Sequence, residues 1–460
     1  MARTNTLPKS TLVMRQMKMF DCSARSLADR KSEFSDPAFA GNKSLPVHRW
    51  VPWIAGFSSD FVKDVLERYL PRKGAVLDPF CGVGTTLVEA VLQQHDAIGF
   101  EINPYAALAS RTKTSVSEVS VRAFQEQIVR LKRFCAERVR SGYQPRSVPP
   151  QGFHTRAPFY SPKVVLRVLR FFDFLETVEE IRVKDLFRLA FASTMVQYSN
   201  YSYEPSLSRR VSSGKEEILD YPVEEALLAK LDAMSRDILW MQKKLQGSRV
   251  NSRIVEASFF NCKDHLEAET IDLIVTSPPY LNNYHYNRNT RPQLYWLGFV
   301  QQPKDLAPLE KSNFGKFWQT VREKEHLGLD FDLPESDVHS RLKTLRGLKP
   351  EKGMYGGNGW ANYAAAYFND CLKFAEGIKF ALKPGGRAFV VIGNSILQGI
   401  LIPTDKYFGQ ISESIGLELI QIDVPRATRV GNSIIQSGVR VAKAQDRDQL
   451  YEAIVELKKR

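Results

Sequence analysis

Cysteine is scarce in this 460-residue chain. There are five (Cys22, Cys81, Cys135, Cys262, Cys371), an odd number with no CxxC pair. That argues against a disulfide framework or a structural zinc site and for a reducing, cytoplasmic compartment. Long apolar runs are also missing, since none approaches the roughly 18 residues of a membrane span. The N-terminal stretch MARTNTLPKSTLVMRQMKMF is basic and bears Ser and Thr but lacks the apolar centre of a secretion signal. It reads as a flexible tail, with an organelle transit peptide as the alternative. Acidic residues are outnumbered, 51 Asp+Glu against 64 Lys+Arg, for a net charge of +13. The imbalance is local: Arg111–Arg170 holds 13 Lys/Arg against three Asp/Glu, a net +10. So lopsided a stretch favours a polyanion partner, nucleic acid before any other. His154 and His265 have no metal-like neighbours, so no metal site is expected.

With 43% hydrophobic and 11% aromatic residues, the chain has the composition of a globular protein. Residues 1–44 look irregular. An amphipathic helix follows, with Ser58, Ser59 or Asp60 as cap and Phe61, Val65, Leu66 and Tyr69 on its apolar face. AVLDPFCGVGTT is a strand entering a glycine loop, LVEAVLQQ a helix and AIGFEINP a second strand, together a βαβ unit with parallel strands. The alternation then breaks. Ser115–Arg140, Pro162–Val196 and Val223–Leu245 carry helical periodicity with no comparable strand between them. Strand signals resume at SRIVEASFF and IDLIVTSPPY; a charge-mixed stretch spans about Gln301–Asn358; then come a helix at Tyr363–Ala381, the turn LKPGG and a strand at Arg387–Ile392. A helix near Asp405–Ile415, the strand LELIQIDV and a final strand–helix pair complete the chain.

The simplest assembly is one doubly wound α/β domain with two insertions. The boundaries are 1–44 for the N-terminal segment, 45–113 for the cofactor half of the core and 114–250 for a helical insertion. The catalytic strand lies in 251–300, an irregular insertion in 301–360 and the rest of the core in 361–460.

Two stretches carry chemistry. In DPFCGVGTT, Gly82 and Gly84 permit a tight turn at the carboxyl end of a strand, where open α/β sheets bind ligands. There is no third glycine of a dinucleotide fingerprint and no Gly-Lys-Ser/Thr of a P-loop. An acid at the strand end, Asp78, suits a ligand with an ammonium group. Glu101, 17 residues beyond Gly84, stands where a carboxylate accepts hydrogen bonds from ribose hydroxyls. Each piece alone reads as a structural turn and a surface acid; together they suit a nucleoside with an amino-acid-like tail. In IDLIVTSPPY, two prolines follow an apolar strand although proline donates no ladder hydrogen bond. They mark the end of the strand and a rigid elbow.

DPFCGVGTT, followed by GFEINP and TSPPY, resembles the amino-methyltransferases that modify exocyclic nitrogens of bases in DNA. The resemblance covers Val47–Lys113, Asn251–Gly298 and Tyr363–Val424. It implies a class I methyltransferase fold, a seven-stranded Rossmann-like sheet, and S-adenosylmethionine as cofactor. By the same resemblance Asp78, Phe80, Gly82 and Gly84, with Thr85 and Asn103 beside them, line the cofactor site, and Glu101 holds the ribose. Ser258 or Phe259 lies near the adenine, and Phe57 and Ser58 approach from the other side.

The elbow then has a role. An exocyclic amine is a poor nucleophile because its lone pair is delocalised into the ring. An enzyme must hold the nitrogen in line and accept its hydrogens as attack proceeds. Ser277 and the Pro278 carbonyl are the acceptors, Pro279 stiffens them, and Tyr280 stacks on a base extruded from double-stranded DNA. No Pro-Cys dipeptide occurs, so C5 attack on cytosine by that route is not expected. Within the family a leading Asp or Asn usually goes with adenine N6 and Ser often with cytosine N4. Ser277 therefore points to cytosine N4, with adenine N6 as the alternative and an RNA base methylase or an inactive nucleic-acid-binding scaffold behind it. The resemblance further implies the modification half of a restriction–modification system in a bacterial or archaeal cytoplasm, its endonuclease a separate chain.

Two further segments are candidates for nucleic-acid contact. One is Asn282–Arg291, with Tyr284, His285, Tyr286, Arg288 and Arg291, followed by Tyr295 and Trp296 packed as core. The other is the aromatic-basic turn Tyr198–Arg210. Asn394, in VIGNS, reads as a structural turn. Base recognition falls to the helical insertion and to the second insertion.

Overall fold

The sheet begins with the expected βαβ unit. In this computed structural model, which describes residues 32, 34–37, 39–53, 56–203, 206–248, 250–282, 284, 286–426 and 450–460, helix α1 (Ser59–Tyr69) leads into β1 (Ala75–Asp78). Then follow α2 (Thr85–Leu92), β2 (Asp96–Phe100) and α3 (Pro104–Thr114). The helical insertion consists of α4 (Val121–Arg140), α5 (Pro162–Leu175), α6 (Ile181–Thr194), the small hairpin β3–β4 (Tyr201–Tyr203, Leu207–Arg209) and α7 (Val223–Leu245). Strands β5 (Ser252–Val255) and β6 (Ile271–Thr276) return to the sheet, and short helices α8 (Tyr286–Asn289) and α9 (Arg291–Trp296) follow the elbow. In the second insertion α10 (Ala307–Ser312), α11 (Trp318–Val321) and α12 (Val338–Arg346) precede the long α13 (Gly357–Ala381). The chain closes with β7 (Leu382–Gly393), the hairpin β8–β9 (Ser395–Leu397, Ile400–Ile402), α14 (Thr404–Ser414), β10 (Leu417–Arg426) and β11 (Glu452–Lys459).

The seven-stranded sheet runs in the order β10-β11-β7-β6-β1-β2-β5. Five neighbouring strands are parallel, and β11 is antiparallel to both β7 and β10. This is the expected class I methyltransferase architecture, a Rossmann-like sheet with one reversed strand. The final element differs from expectation: YEAIVELKKR is a strand, not a helix. Its Glu, Ala, Leu and Lys favour a helix in isolation. The slot between β7 and β10 overrides that preference, burying Ala453–Leu457 from both faces and pairing buried Glu456 with Arg387 and Gln421.

Alternation along the strands separates two cores. Val76, Leu273, Val275, Phe389 and Ile454 face one cluster, which also holds α1–α3 and the apolar faces of α4–α7. Leu77, Ile274, Ala388, Val390 and Val455 face the other, with α13, α14 and the second insertion's Phe314, Val321 and Leu342. Each insertion thus thickens one side of the sheet and shares its core. Phe34, inside the segment expected to be irregular, is buried against Phe61 and Phe389. Among the described residues no helix is long and apolar enough to cross a membrane. The four described cysteines are free and buried.

Candidate functional site

Parallel pairing of β1 with β6 brings the two motifs together. Val76 and Leu77 lie opposite Leu273 and Ile274, so both strands end side by side. There Thr276 Oγ1 donates to Asp78 Oδ1 at 2.6 Å, and Thr86 Oγ1 donates to the Val275 carbonyl at 3.1 Å. The first residue of TSPPY is therefore bonded to the first of DPFCGVGTT.

The loop after β1 needs its glycines. Gly82 (φ +50°) and Gly84 (φ +85°) both adopt the left-handed region. A Cβ on Gly84 would stand 2.9 Å from Ser110 Oγ and 3.1 Å from its Cα, so the glycine lets α2 start against α3. Gly82 lies under Trp53, whose Nε1 would be 3.3 Å from a Cβ there. Buried Lys113 donates from behind to the Val83 carbonyl at 3.0 Å.

Glu101, at the end of β2, closes this loop. Its Oε2 accepts the Gly82 amide at 2.9 Å and its Oε1 the Asn103 amide at 2.7 Å. Burial outweighs these bonds and raises the carboxyl to about 7. Asp78 is fully buried and raised to about 6, again by burial, against the Thr276 bond that favours its ionised form. Asn103 caps α3 by accepting from the Tyr105 and Ala106 amides, and its Nδ2 donates to Thr290 Oγ1 at 2.7 Å and to Asn287 Oδ1 at 3.4 Å. Its side chain is committed to holding α3 against the post-elbow segment.

A cleft of about 690 Å³ opens at this end of the sheet. Of the residues singled out in the sequence, Phe80, Gly82, Glu101, Asn103, Ser258, Phe259, Ser277, Pro279 and Tyr286 line it. Asp78, Gly84, Thr85, Pro278, Tyr280, Phe57 and Ser58 lie outside its lining. Asp78 is buried behind it, Gly84 and Thr85 start α2, and Ser58 caps α1 by accepting the Asp60 amide. Asn287, within the candidate segment Asn282–Arg291, also lines the cleft; the sequence reading missed Trp53 and Ser312–Phe314 there. No local pattern marks the last three, which come from the second insertion.

The elbow is pinned on several sides. Tyr367 donates to the Pro279 carbonyl at 3.0 Å, and Ser395 Oγ donates to the Leu281 carbonyl. Among the described residues no donor is bonded to the Pro278 carbonyl. The Tyr280 ring lies on Gly393, where a Cβ would come within 3.1 Å, and its hydroxyl donates to Glu452 Oε1 at 3.2 Å. Burial, with the Glu452 charge adding to it, keeps the Tyr280 phenol well above its usual range and therefore neutral, against a Ser277 hydrogen bond that favours its ionised form.

The two aromatic-basic segments meet beside the elbow. Tyr203 Oη donates to the Asn289 carbonyl at 2.9 Å, Asn289 Oδ1 accepts the Leu207 amide at 3.0 Å, and Gln293 Nε2 donates to Tyr203 Oη at 3.3 Å. Arg288 is exposed, whereas Arg291 sits over the rings of Phe153 and Tyr295. Tyr295 and Trp296 are buried as expected, and Asn394 accepts the Tyr451 amide in a structural turn. His285 lies outside the described residues.

The cleft fits a nucleoside with a zwitterionic tail. A half-buried carboxylate on the lining, a tight glycine turn under Trp53, and aromatic walls at Phe80, Phe100 and Phe259 provide for sugar, tail and base. Buried Asn287 Nδ2 and Asn313 Nδ2 on the lining have no partner among the described residues.

A DNA methylase family model matches residues 39–111. The chain is 25% identical over 437 residues to the type II methyltransferase M.BsoBI of Geobacillus stearothermophilus, covering 87% of this chain and 84% of that one. It is 26% identical over 438 residues to the type II methyltransferase M.AvaI of Nostoc sp., covering 88% and 86%. With M.MvaI of Kocuria varians, also a type II methyltransferase, it shares 23% over 377 residues, covering 79% and 80%. Among solved structures it is similar to the rRNA methyltransferase aviRa of Streptomyces viridochromogenes at 9% identity and a TM-score of 0.32, over 91% of this chain and 92% of that one. At so slight a likeness the fold rests on the strand order instead. Motif order, strand order and the family model over residues 39–111 agree in making the chain similar to the DNA amino-methyltransferases, enzymes that use S-adenosylmethionine to methylate exocyclic base nitrogens.

Proposed function

We propose that the chain methylates the exocyclic N4 of cytosine at a specific site in double-stranded DNA, as the modification partner of a separate endonuclease. The observation that carries this is the elbow. Ser277 lines the cleft, the neighbouring Pro278 carbonyl has no donor among the described residues, and the Pro279 carbonyl is already taken by Tyr367. Two acceptors thus stand side by side, on backbone stiffened by consecutive prolines.

S-adenosylmethionine supplies an electrophilic methyl group when bound. The chain's own work is to present the amine. Ser277 Oγ and the Pro278 carbonyl accept its two hydrogens, which localises the nitrogen lone pair toward the incoming methyl. Tyr280, neutral and held by Glu452, offers an aromatic face to an extruded base. The reading of Ser277 as cytosine-specific rests on the family resemblance; the restriction–modification context is supported by the type II relatives.

Methylated DNA digested to nucleosides should contain N4-methylcytosine by mass spectrometry, and N6-methyladenine in its place would overturn the assignment. Ser277→Ala should lower kcat about 100-fold, on the scale of losing one preorganised polar group at a reacting centre, with little change in cofactor affinity. Full activity in that variant would remove Ser277 from the chemistry.

A further inference from the structure

The second insertion reaches the cofactor cleft through Ser312–Asn313–Phe314. This stretch is held from several directions. The Phe314 ring packs edge-on against Phe80 and Tyr367, each at 5.2 Å, and against Phe374 at 5.9 Å. The Gly315 amide donates to Asp370 Oδ2 at 3.0 Å. Gly315 has φ +64°, and a Cβ there would stand 2.9 Å from the Tyr367 ring. Lys316 Nζ donates to the Asn313 carbonyl at 2.9 Å and to the Lys311 carbonyl at 2.7 Å. The backbone of Asn313 is thus placed by its neighbours.

Its side chain is not used by them. Asn313 is 7% exposed, and its Nδ2 has no partner among the described residues. Asn287, 3% exposed, offers a second such Nδ2 on the same cleft; its Oδ1 accepts from Asn103, which turns the donor end away. A buried donor left unpaired destabilises the fold unless a ligand satisfies it. The surrounding chemistry defines that ligand. Phe80, Phe100, Phe259 and Phe314 make flat apolar walls, and the Glu101 carboxylate, bonded to the Gly82 and Asn103 amides, stands on the same lining. Flat walls with unpaired donors suit a purine, whose ring nitrogens accept hydrogen bonds.

We infer that Asn313 is a cofactor-binding residue, donating from Nδ2 to a purine ring nitrogen of S-adenosylmethionine, and that this part of the second insertion is a wall of the cofactor site. The inference rests on the cofactor and not on which base is methylated. It therefore stands or falls apart from the cytosine assignment.

Calorimetric titration without DNA tests it, using S-adenosylhomocysteine and 5′-methylthioadenosine, which lacks the amino-acid tail. Asn313→Leu, near in volume, and Asn313→Asp, the same shape without the donor, should each raise Kd about tenfold for both ligands, the scale of one hydrogen bond. Asn313→Leu should also leave the unliganded melting temperature unchanged or raise it, because a buried unpaired amide is removed, while shrinking the shift on ligand addition. Unchanged Kd for both ligands overturns the inference, as does a loss confined to S-adenosylhomocysteine, which would put the contact at the tail. Failure of the unaltered protein to bind either ligand overturns the cofactor assignment itself.

Discussion

Glu101 is a carboxyl whose ordinary range lies near 4.5 and which burial carries to about 7, with Asp78 adding to the rise through its charge. The Glu101 charge acts in turn on Tyr286 and Cys81, raising both. In the unliganded fold a raised acid favours its protonated form. Its contribution to stability is complete at low pH and is lost as pH rises through about 7, and likewise for Asp78 through about 6. Ribose hydroxyls donating to Glu101 favour the opposite, ionised form, so binding should release a proton. S-adenosylhomocysteine affinity should therefore fall as pH drops below about 7, approaching tenfold per unit, the limit for one coupled proton. Calorimetry at pH 6.5 in buffers of different ionisation enthalpy should detect the proton. Glu101→Gln should abolish that dependence and weaken binding. An affinity flat between pH 5.5 and 8 would mean that Glu101 is ionised before the ligand arrives.

At the scale of elements, a buried carboxylate on α7 gathers several donors from the cofactor half, beside a Lys230 bond to the Arg49 carbonyl. Asp237 is 2% exposed and accepts from the Val47 amide (2.9 Å), Arg49 Nε (3.0 Å), Arg49 Nη2 (2.5 Å) and Trp50 Nε1 (2.9 Å). Next to this turn, His48 Nε2 pairs with Glu89 Oε1 on α2 at 2.7 Å, and the same chain goes on to Trp53 in the cleft. Asp237→Ala would orphan the Val47 and Trp50 donors, lowering stability by about 3 kcal/mol in denaturant unfolding. A loss under about 1 kcal/mol would mean that packing alone holds the turn. The helices were legible because their periodicity is local: Val121–Arg140 and Val223–Leu245 fall inside the expected spans. The β3–β4 hairpin was not, because three-residue strands carry too little alternation to register. Strand β11 was not, because its neighbours on both sides, and not its composition, make it a strand.

Over the whole molecule, the fold redistributes the charge that the sequence concentrates. Arg111 pairs with Glu256, and Arg167 with Asp220 and Glu224, so acids from elsewhere neutralise part of the basic stretch, while its own Glu118 is paired with Arg182 from outside it. On the exposed face of α4, Lys132 and Arg133 have no acidic partner among the described residues. If they meet phosphates, the double change Lys132→Glu and Arg133→Glu should weaken DNA binding at low salt. It should also flatten the plot of log affinity against log salt by about 0.9 for each phosphate that is no longer neutralised. An unchanged slope would place the DNA on another face.

The sequence by itself determined the local chemistry. Glycines that allow a left-handed turn, prolines that end a strand and an acid at a strand terminus all act through bonds to their immediate neighbours. Tertiary structure alone decided which of these meet. Thr276 reaches Asp78 across 198 residues because β1 and β6 pair in one register, and Asn313 enters the cleft because Phe314 and Gly315 fit against Phe80, Tyr367 and Asp370. Such meetings depend on the packing of distant surfaces, which no window along the chain contains.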